Sequence, residues 1–328
     1  MDPKVKQLMN PQILRKIAQS YGVDESDLDF HKSTESFLYR YEKQGTPFFL
    51  RISHSSRRTP DMIRGELDWL QWLEQHQLPV VRVASTPDQE TCVVVELDDG
   101  TFFTAVSFHQ LPGKQMNRLY DNNQLVQQLG SLMAKLHLAT QTYSPRYDSW
   151  KRHHWSQELH GFAEKYLSPT ERKVIERFNS TMEEISSLPQ TSDNYGLIHY
   201  DLHPGNIFVD DHQLVLLDFD DSQYSWFMSD LAISLFYAIP FSESEAKKTE
   251  SAKRFLDQLL TGYQQIRSIN DRELGWIPLF LKLREIDLYI VIHRSFGAGS
   301  YNEWCQTFMK DRKERIENKI PMLLGSYY

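Results

Sequence analysis

Three polar side chains in the middle of the chain are of the kind, and at the spacing, found in sites that bind a cation. Asp201 is followed five positions later by Asn206, and Asp218 lies further along the chain. Carboxylate and amide oxygens are the hard ligands that Mg²⁺ prefers. Asn206 and Asp218 could therefore hold one metal ion, while Asp201, in a loop that contains proline and glycine, could lie beside it without being a ligand.

Two short apolar runs next to these side chains are candidates for the strands that position them. Residues 207–209 and 214–217 are rich in aliphatic and β-branched side chains, and the polar residues 210–213 between them suit a turn. The pattern predicts a hairpin, with Asn206 just before its first strand and Asp218 just after its second. Because paired strands lie about 4.8 Å apart, we expect both candidate ligands at the open end of this hairpin.

A carboxylate, an amide and a second carboxylate in this order are what phosphoryl transfer from ATP requires. The acceptor hydroxyl must be oriented and must lose its proton, which is the role we assign to Asp201. The Mg²⁺ that bridges the phosphates needs oxygen ligands, which Asn206 and Asp218 supply. The spacing from Asp201 to Asn206 also equals that of the protein-kinase catalytic loop, His-Arg-Asp-Leu-x-x-x-Asn. The sequence therefore predicts one catalytic residue, Asp201, and two metal ligands.

Two other interpretations fit the same residues. His199, Asp201 and His203 alternate, so on a strand they would share a face and could bind a transition metal. Pro204 and Gly205 argue against a regular strand. An ordinary polar loop would also contain Asp, Asn and Gly, but it does not explain an acid at the far end of the hairpin. We expect His199 to support the loop structurally.

The stretch as a whole resembles the phosphotransferase enzyme family, which includes aminoglycoside phosphotransferases, choline kinases and pseudomonad-type homoserine kinases. The similarity rests on His-Tyr-Asp-Leu-His-Pro-Gly-Asn-Ile from position 199 and Leu-Leu-Asp-Phe-Asp-Asp from position 216. It implies an α+β, two-lobed, protein-kinase-like fold, with a small antiparallel-sheet N-lobe at residues 1–110 and a larger, mainly helical C-lobe at residues 111–328. It also implies ATP and Mg²⁺ as cofactors, and an aspartate at position 230 that braces the catalytic loop.

The same resemblance assigns phosphate contacts to the connection at residues 31–36. Kinases have a phosphate-covering loop at this place, although the usual glycine pattern is missing here. Ser33, Thr34 and Ser36 could still donate hydroxyl or backbone N–H groups to phosphate. An ordinary hairpin turn explains the local sequence equally well.

A cation and an acid complete the expected nucleotide site. Arg51 ends an apolar strand and Glu66 lies in a helix predicted at residues 60–76, where kinases hold the α- and β-phosphates. Relatives usually have lysine at this point, and arginine keeps the charge but differs in shape. An exposed surface ion pair is the alternative for Arg51 and Glu66. We expect the segment around His109 and Leu111 to border the adenine, mainly through backbone groups.

Composition agrees with a globular enzyme of two lobes. The chain has 328 residues, of which 40% are hydrophobic and 12% aromatic, enough for a sizeable interior. The formal net charge of −8, from 36 basic and 44 acidic residues, argues against a nucleic-acid partner. We find no apolar run long enough to span a membrane and no signal peptide. Cys92 and Cys305 imply no disulfide framework, so we expect a cytoplasmic location.

We therefore expect an ATP-dependent kinase that transfers the γ-phosphate to a hydroxyl of a small molecule. The acceptor expected by analogy with one branch of the family is an amino alcohol such as homoserine. An aminoglycoside phosphotransferase, a protein Ser/Thr kinase on the same scaffold and a nucleotide-binding pseudokinase stay open. Tyr200, in place of the arginine that couples many protein kinases to activation-loop phosphorylation, favours a small-molecule kinase. The sequence does not indicate the oligomeric state.

Overall fold

A computed structural model describes residues 3–33, 35–115, 122–211, 213–296 and 302–323. The chain forms two compact units. The first consists of Met1–Lys114, Tyr143–Arg152 and Phe208–Asp220, and the second of Gln115–Thr142, His153–Ile207 and Asp221–Tyr328. The lobe boundary at residue 110 stays a prediction.

An antiparallel sheet forms the centre of the first unit. Its strands are β1 (Asp29–Ser33), β2 (Phe37–Lys43), β3 (Thr46–His54), β4 (Val83–Ala84), β5 (Val93–Glu96) and β6 (Phe102–His109). Their order is β1-β2-β3-β6-β4, and β5 also pairs with β6. Gln44 and Gly45 join β2 to β3 with φ angles of 52° and 76°. Two consecutive residues of positive φ suit the twist of a tight hairpin.

Three helices accompany this sheet: α1 (Pro3–Leu8), α2 (Pro11–Ser20) and α3 (Pro60–Gln75). The Asn10 side chain caps α2 by accepting from the Ile13 N–H at 3.0 Å. Ile17 of α2 is fully buried in one core with Leu50 of β3 and Phe103 of β6. Helix α2 therefore packs on the sheet through its apolar side.

The predicted hairpin is confirmed. It consists of β9 (Ile207–Asp210) and β10 (Gln213–Leu216), and the short strand β7 (Lys114–Gln115) extends the sheet in the order β10-β9-β7. Asn206 immediately precedes β9, and Asp218 follows β10 after one intervening residue. The two candidate metal ligands therefore lie next to the two ends of the hairpin, as predicted.

The second unit is mainly helical. Its helices are α4 (Asn123–Thr140), α5 (Trp155–Leu159), α6 (Phe162–Tyr166), α7 (Arg172–Ser186), α8 (Phe227–Ala238), α9 (Glu245–Gln264), α10 (Asp271–Leu274), α11 (Ile277–Phe296), α12 (Glu303–Met309) and α13 (Arg312–Glu317). A two-stranded antiparallel sheet pairs β8 (Tyr195–Ile198) with β11 (Gln223–Trp226). An antiparallel sheet early in the chain and helices later confirm the predicted α+β class.

Helices α4 and α9 cross so closely that only glycine fits at two positions. A Cβ atom on Gly130 would lie 2.0 Å from the carbonyl oxygen of Leu259, and one on Gly262 would lie 1.8 Å from that of Gln127. Real Cβ atoms do not approach backbone this closely, so both glycines are required by packing.

The sequence also predicts a helix that begins at Asp230 and helices at residues 251–266 and 303–322, and the structure corrects all three. The helix expected from Asp230 begins at Phe227, directly after β11, and the helix expected from Ser251 begins at Glu245. The helix expected from Glu303 to Met322 is two short helices, because Asp311 has a φ of 56° and turns the chain. Among the residues that the structure describes, we find no helix with the length and apolarity needed to cross a bilayer.

Candidate active site

A buried carboxylate holds the loop after β8 in the second unit by accepting hydrogen bonds from its backbone. Asp230, in the first turn of α8, is fully buried and accepts hydrogen bonds from the His199 N–H at 3.1 Å and the Tyr200 N–H at 2.7 Å. Tyr200 has a φ of 68°, which is uncommon for a residue with a side chain. The role expected for Asp230, bracing this loop, agrees with these contacts.

A chain of buried polar groups supports Asp230 in turn. The Nε2 atom of His137 lies 3.2 Å from Asp230, and its Nδ1 atom lies 2.8 Å from the Tyr263 hydroxyl. Burial lowers the pKa of His137, although Asp230 acts in the opposite direction. A neutral imidazole next to a carboxylate donates through Nε2 and accepts from Tyr263 through Nδ1. The catalytic loop candidate therefore rests on hydrogen bonds that reach well into the helical core.

The Asp201 carboxylate has a hydrogen-bond partner on each oxygen. Arg284 of α11 donates to Oδ1 at 2.7 Å, and Asn206 donates to Oδ2 at 3.2 Å and to the Asp201 carbonyl at 3.0 Å. The Nε2 atom of His203 lies 3.3 Å from Oδ2. Because Nδ1 of the same ring accepts from the Gly205 N–H at 2.9 Å, the ring proton sits on Nε2 and points to Asp201.

These contacts keep Asp201 ionised. Burial alone would raise the pKa of Asp201, but the hydrogen bond from His203 and the charge of Arg284 lower it below the usual range of an aspartate. The side chain is still 21% exposed. It is therefore a fixed, negatively charged acceptor that a bound hydroxyl group can reach.

Arg284 and His203 belong to this site. The sequence assigned no role to Arg284, and it considered His203 only in the alternative of a transition-metal site. Besides Asp201, Arg284 donates to the Tyr237 hydroxyl at 2.8 Å and lies 3.4 Å from Asp287. Burial raises the pKa of Tyr237 to about 12 and that of Asp287 to about 6. A signal exists in the sequence: Arg284 and Asp287 are three residues apart within a mostly apolar helix, where charges need a buried partner.

The first unit brings Arg51 and Glu66 together. The two guanidinium N–H groups of Arg51 donate to the two carboxylate oxygens of Glu66 at 3.0 and 2.6 Å. Glu66 is fully buried and the Arg51 side chain is only 11% exposed, which is unlike the exposed ion pair that was the alternative. Asp218 has a half-exposed side chain, a φ of 64° and an oxygen 3.8 Å from Arg51. A cation, its buried acid and an accessible carboxylate thus lie side by side.

The three residues expected to contact phosphate differ in their surroundings. The prediction that residues 31–33 lie in a loop is wrong: they belong to strand β1, in which Lys32 and Ser33 pair with Leu38 and Phe37 of β2. Ser33 ends that strand and is half-buried. The Ser36 hydroxyl is 2.8 Å from that of Ser53 on β3. Thr34 lies outside the described residues. The phosphate role of all three stays a prediction.

The candidate adenine border lies at the end of β6. The His109 N–H donates to the Arg82 carbonyl at 2.9 Å, and its ring lies against that of Phe48 with centroids 4.9 Å apart. Burial lowers the pKa of His109. Leu111 follows β6 and is half-buried. Since the amide of His109 is used within the sheet, contact with a base at this residue would involve its carbonyl or its ring.

The candidate metal ligands belong to different units: Asn206 to the second and Asp218 to the first. The part of the chain that the structure describes contains no group of three or more His, Cys, Asp or Glu side chains that could hold a metal. An amide and one accessible carboxylate suit Mg²⁺, which completes its shell with water and phosphate oxygens. Whether Asn206 and Asp218 share one ion stays a prediction.

Comparisons with known proteins agree with this arrangement. A family model described as the phosphotransferase enzyme family matches residues 30–269. Amicoumacin kinase of Bacillus subtilis (strain 168) is 29% identical over 316 residues, which are 95% of this chain and 93% of that protein. A solved structure of an amicoumacin kinase in complex with AMP-PNP, Ca²⁺ and Ami covers 100% of this chain and 99% of its own, with a TM-score of 0.93 and 28% identity.

A second solved structure, a microcompartment-associated aminopropanol kinase, has a TM-score of 0.71 at 21% identity over 94% of this chain and 98% of its own. At that identity the match concerns the fold alone, and it agrees with the protein-kinase-like fold expected from the motif. The family model covers most of the chain and includes the Asp201, Asn206 and Asp218 positions. The chain therefore belongs to the phosphotransferase enzyme family.

Proposed function

We propose that the protein is a kinase that uses Mg²⁺ and ATP to phosphorylate a hydroxyl group of a small molecule. The observation that carries the proposal is the Asp201 carboxylate, which is ionised, fixed on both oxygens and accessible to a bound hydroxyl. Family membership supports the reaction class, and the complex of a similar kinase with AMP-PNP and Ca²⁺ supports a nucleotide and a divalent cation.

Each predicted residue has a defined part in this reaction. Asp201 orients the acceptor hydroxyl and takes its proton as the hydroxyl oxygen bonds to the γ-phosphorus and ADP leaves. Arg51, held by Glu66, positions the phosphates. Asn206 and Asp218 would hold Mg²⁺, which when bound neutralises charge on the phosphate oxygens. Arg284 keeps Asp201 in place through the bond to Oδ1.

The charges beside Asp201 favour an acceptor that carries an amine. Arg284 contributes one positive charge, while Asp201 is ionised and Asp287 becomes so above a pH of about 6. These three described groups therefore carry a net negative charge at neutral pH, which attracts an ammonium group. Amicoumacin and aminopropanol, the substrates in the names of the similar kinases, are the first candidates. Homoserine belongs to the same class but also carries a carboxylate, so we place it after them.

A substrate panel tests the proposal. ADP release is measured with amicoumacin, aminopropanol, homoserine, choline and an aminoglycoside, and labelled phosphate transfer is measured with a protein mixture. We expect turnover with at least one hydroxylated amine and a loss of about 100-fold or more in Asp201→Asn. Transfer to polypeptide alone would assign the chain to protein kinases. Unchanged turnover in a folded Asp201→Asn variant would remove Asp201 from its role.

The metal assignment needs a separate measurement. Asp218→Ala is expected to raise the Mg²⁺ concentration required for half-maximal turnover, because a charged ligand is lost. Asp211→Ala, an exposed acid in the hairpin turn, is the matched control. The same Mg²⁺ dependence in Asp218→Ala and in wild type would contradict the assignment. The cytoplasmic location stays a prediction.

A further inference from the structure

Asp220 is a buried carboxylate surrounded by arginines in the first unit. Its side chain is 6% exposed and forms ion pairs with Arg57, with Arg58 at 3.4 Å and with Arg51 at 4.0 Å. Arg152 donates to the Asp220 carbonyl oxygen at 2.5 Å. Burial alone would raise the pKa of Asp220, but these arginines hold it far below the usual range. A carboxylate already engaged by several cations serves as an anchor for arginine.

Arg57 is the most exposed member of this group. Its side chain is 24% exposed, whereas those of Arg51 and Arg58 are largely buried. One guanidinium nitrogen of Arg57 pairs with Asp220 and the other with Glu35. Glu35 lies in the connection between β1 and β2, at the place where kinases cover the phosphates, and its side chain is exposed.

The neighbours of Arg57 are the residues to which the proposed function assigns phosphate and metal. Asp220 is two positions after Asp218, and both lie within 4.0 Å of the same nitrogen of Arg51. Arg57 thus shares Asp220 with Arg51 as an ion-pair partner. Through Glu35 it is also paired with the connection between β1 and β2, which we call the covering segment. The Arg57 guanidinium therefore lies beside the groups to which the proposed function assigns phosphate and metal.

We propose that Arg57 is an additional phosphate-binding residue of the nucleotide site, that Asp220 holds it in place, and that Glu35 competes with phosphate for it. This inference rests on the proposed function. A guanidinium binds phosphate oxygens with the same paired N–H groups that it offers to a carboxylate. A terminal phosphate oxygen therefore takes the donor that otherwise pairs with Glu35, and Asp220 keeps the guanidinium oriented.

The effect of Glu35→Gln on nucleotide binding distinguishes this inference from a purely structural role for Arg57. If Arg57 only ties the covering segment down, Glu35→Gln loosens the segment and weakens nucleotide binding or leaves it unchanged. If Glu35 competes, Glu35→Gln frees a donor and strengthens binding. The pair of Arg57 with the exposed Glu35 contributes little to folding, and Asp220 keeps its ion pairs with Arg58 and Arg51 when Arg57 is replaced, so both Glu35→Gln and Arg57→Gln should fold.

Calorimetric titration with AMP-PNP and Mg²⁺, and separately with adenosine, tests the inference. We expect Arg57→Gln to weaken AMP-PNP binding about 10-fold to 100-fold, the effect of a lost hydrogen bond between charged groups. Adenosine, which has no phosphate, should bind this variant as it binds wild type. Glu35→Gln should bind AMP-PNP several-fold more tightly than wild type. Arg15→Gln, which breaks the exposed pair with Glu25 in the same unit, is the matched control and should change neither ligand.

Several results would overturn the inference. One is that Arg57→Gln binds AMP-PNP with the affinity of wild type. Another is that Arg57→Gln loses affinity for AMP-PNP and for adenosine to the same extent. A third is that Glu35→Gln binds AMP-PNP as tightly as wild type or more weakly. If Arg57→Gln does not fold, Arg57→Lys replaces it, and an AMP-PNP affinity equal to that of wild type in this variant would also refute a paired contact. Failure of folded wild-type protein to bind AMP-PNP would instead refute the proposed function. The two failures are therefore distinguishable.

Discussion

Replacing Asp230 by alanine should disturb the candidate catalytic loop at residues 199–206 without changing any residue to which the proposed function assigns a contact with substrate. The carboxylate accepts from the N–H groups of His199 and Tyr200 at 3.1 and 2.7 Å, and His137 Nε2 lies 3.2 Å away. All of this is buried. Alanine leaves three donors that neither the protein nor bulk water can satisfy, in a loop whose Tyr200 already has an unfavourable φ of 68°.

The expected cost follows from the number of donors left unpaired. A buried donor that loses its partner costs about 1–3 kcal/mol, so three of them give about 3–6 kcal/mol after partial relaxation of the loop. The total free energy of unfolding of a protein is about 5–15 kcal/mol. Asp230→Ala should therefore be severely destabilised, and Asp230→Asn, which keeps one acceptor oxygen, should lose about half as much.

Urea denaturation followed by circular dichroism measures the change in the free energy of unfolding. The control is Glu176→Ala, since Glu176 makes only an exposed pair with Arg172 in the same unit and should change stability by less than about 0.5 kcal/mol. Turnover of the folded fraction of Asp230→Asn should also fall, because the Asp201 backbone follows Tyr200 directly. A loss of under about 1 kcal/mol in Asp230→Ala would show that water or a shifted loop satisfies these donors.

Three further predictions concern packing, pH and the buried ion pair. Gly262→Ala should cost about 1–3 kcal/mol of stability in urea, because its Cβ would meet the Gln127 carbonyl, whereas Gly275→Ala, with its nearest contact at 3.2 Å, should cost little. Burial raises the pKa of Asp287 to about 6, so this group is protonated in the folded state where an unfolded aspartate is ionised. The stability that the protonated form contributes is then present near pH 4 and is lost as the pH rises through 6. Between pH 4 and pH 7, the free energy of unfolding of Asp287→Asn should therefore rise by about 2–3 kcal/mol relative to that of wild type. A difference in urea midpoints that stays constant over this pH range would contradict the prediction. Arg51→Lys should lose about 1–3 kcal/mol, because an ammonium cannot pair with both oxygens of Glu66, and an unchanged urea midpoint would refute the importance of the paired geometry.

The parts of the molecule that the sequence predicted well are those defined by local pattern. The hairpin follows from two apolar runs around a polar turn, and the helix predicted at residues 60–76 is α3, with ends within about one residue of the prediction. The pairing of Arg51 with Glu66 was predicted from the resemblance to kinases, and the apolar strand around Arg51 favoured this pairing over an exposed surface ion pair. The motif itself located Asp201, Asn206 and Asp218.

The contacts that depend on distant segments were not predictable in this way. Arg284 reaches Asp201 from a helix 83 positions away in the chain, and Arg57 reaches Asp220 across 163 positions. The apolar helix around Arg284 indicates that this charge is buried, but neither spacing identifies the distant partner without an alignment or a structure. The break between α12 and α13 was also missed, because the left-handed conformation there belongs to Asp311 and not to a glycine, which is the usual signal in a sequence.

Tyr200 and Asp218 illustrate why the chemistry of this site depends on residues far from it. Both have positive φ without being glycine, and they flank or carry groups with an assigned role. Such conformations cost free energy and persist only where surrounding contacts impose them. For Tyr200 the imposing contact is Asp230, which in turn depends on His137 and Tyr263. Substitutions deep in the helical core should therefore reduce turnover through the loop geometry, so loss of activity alone is weak proof that a residue touches substrate.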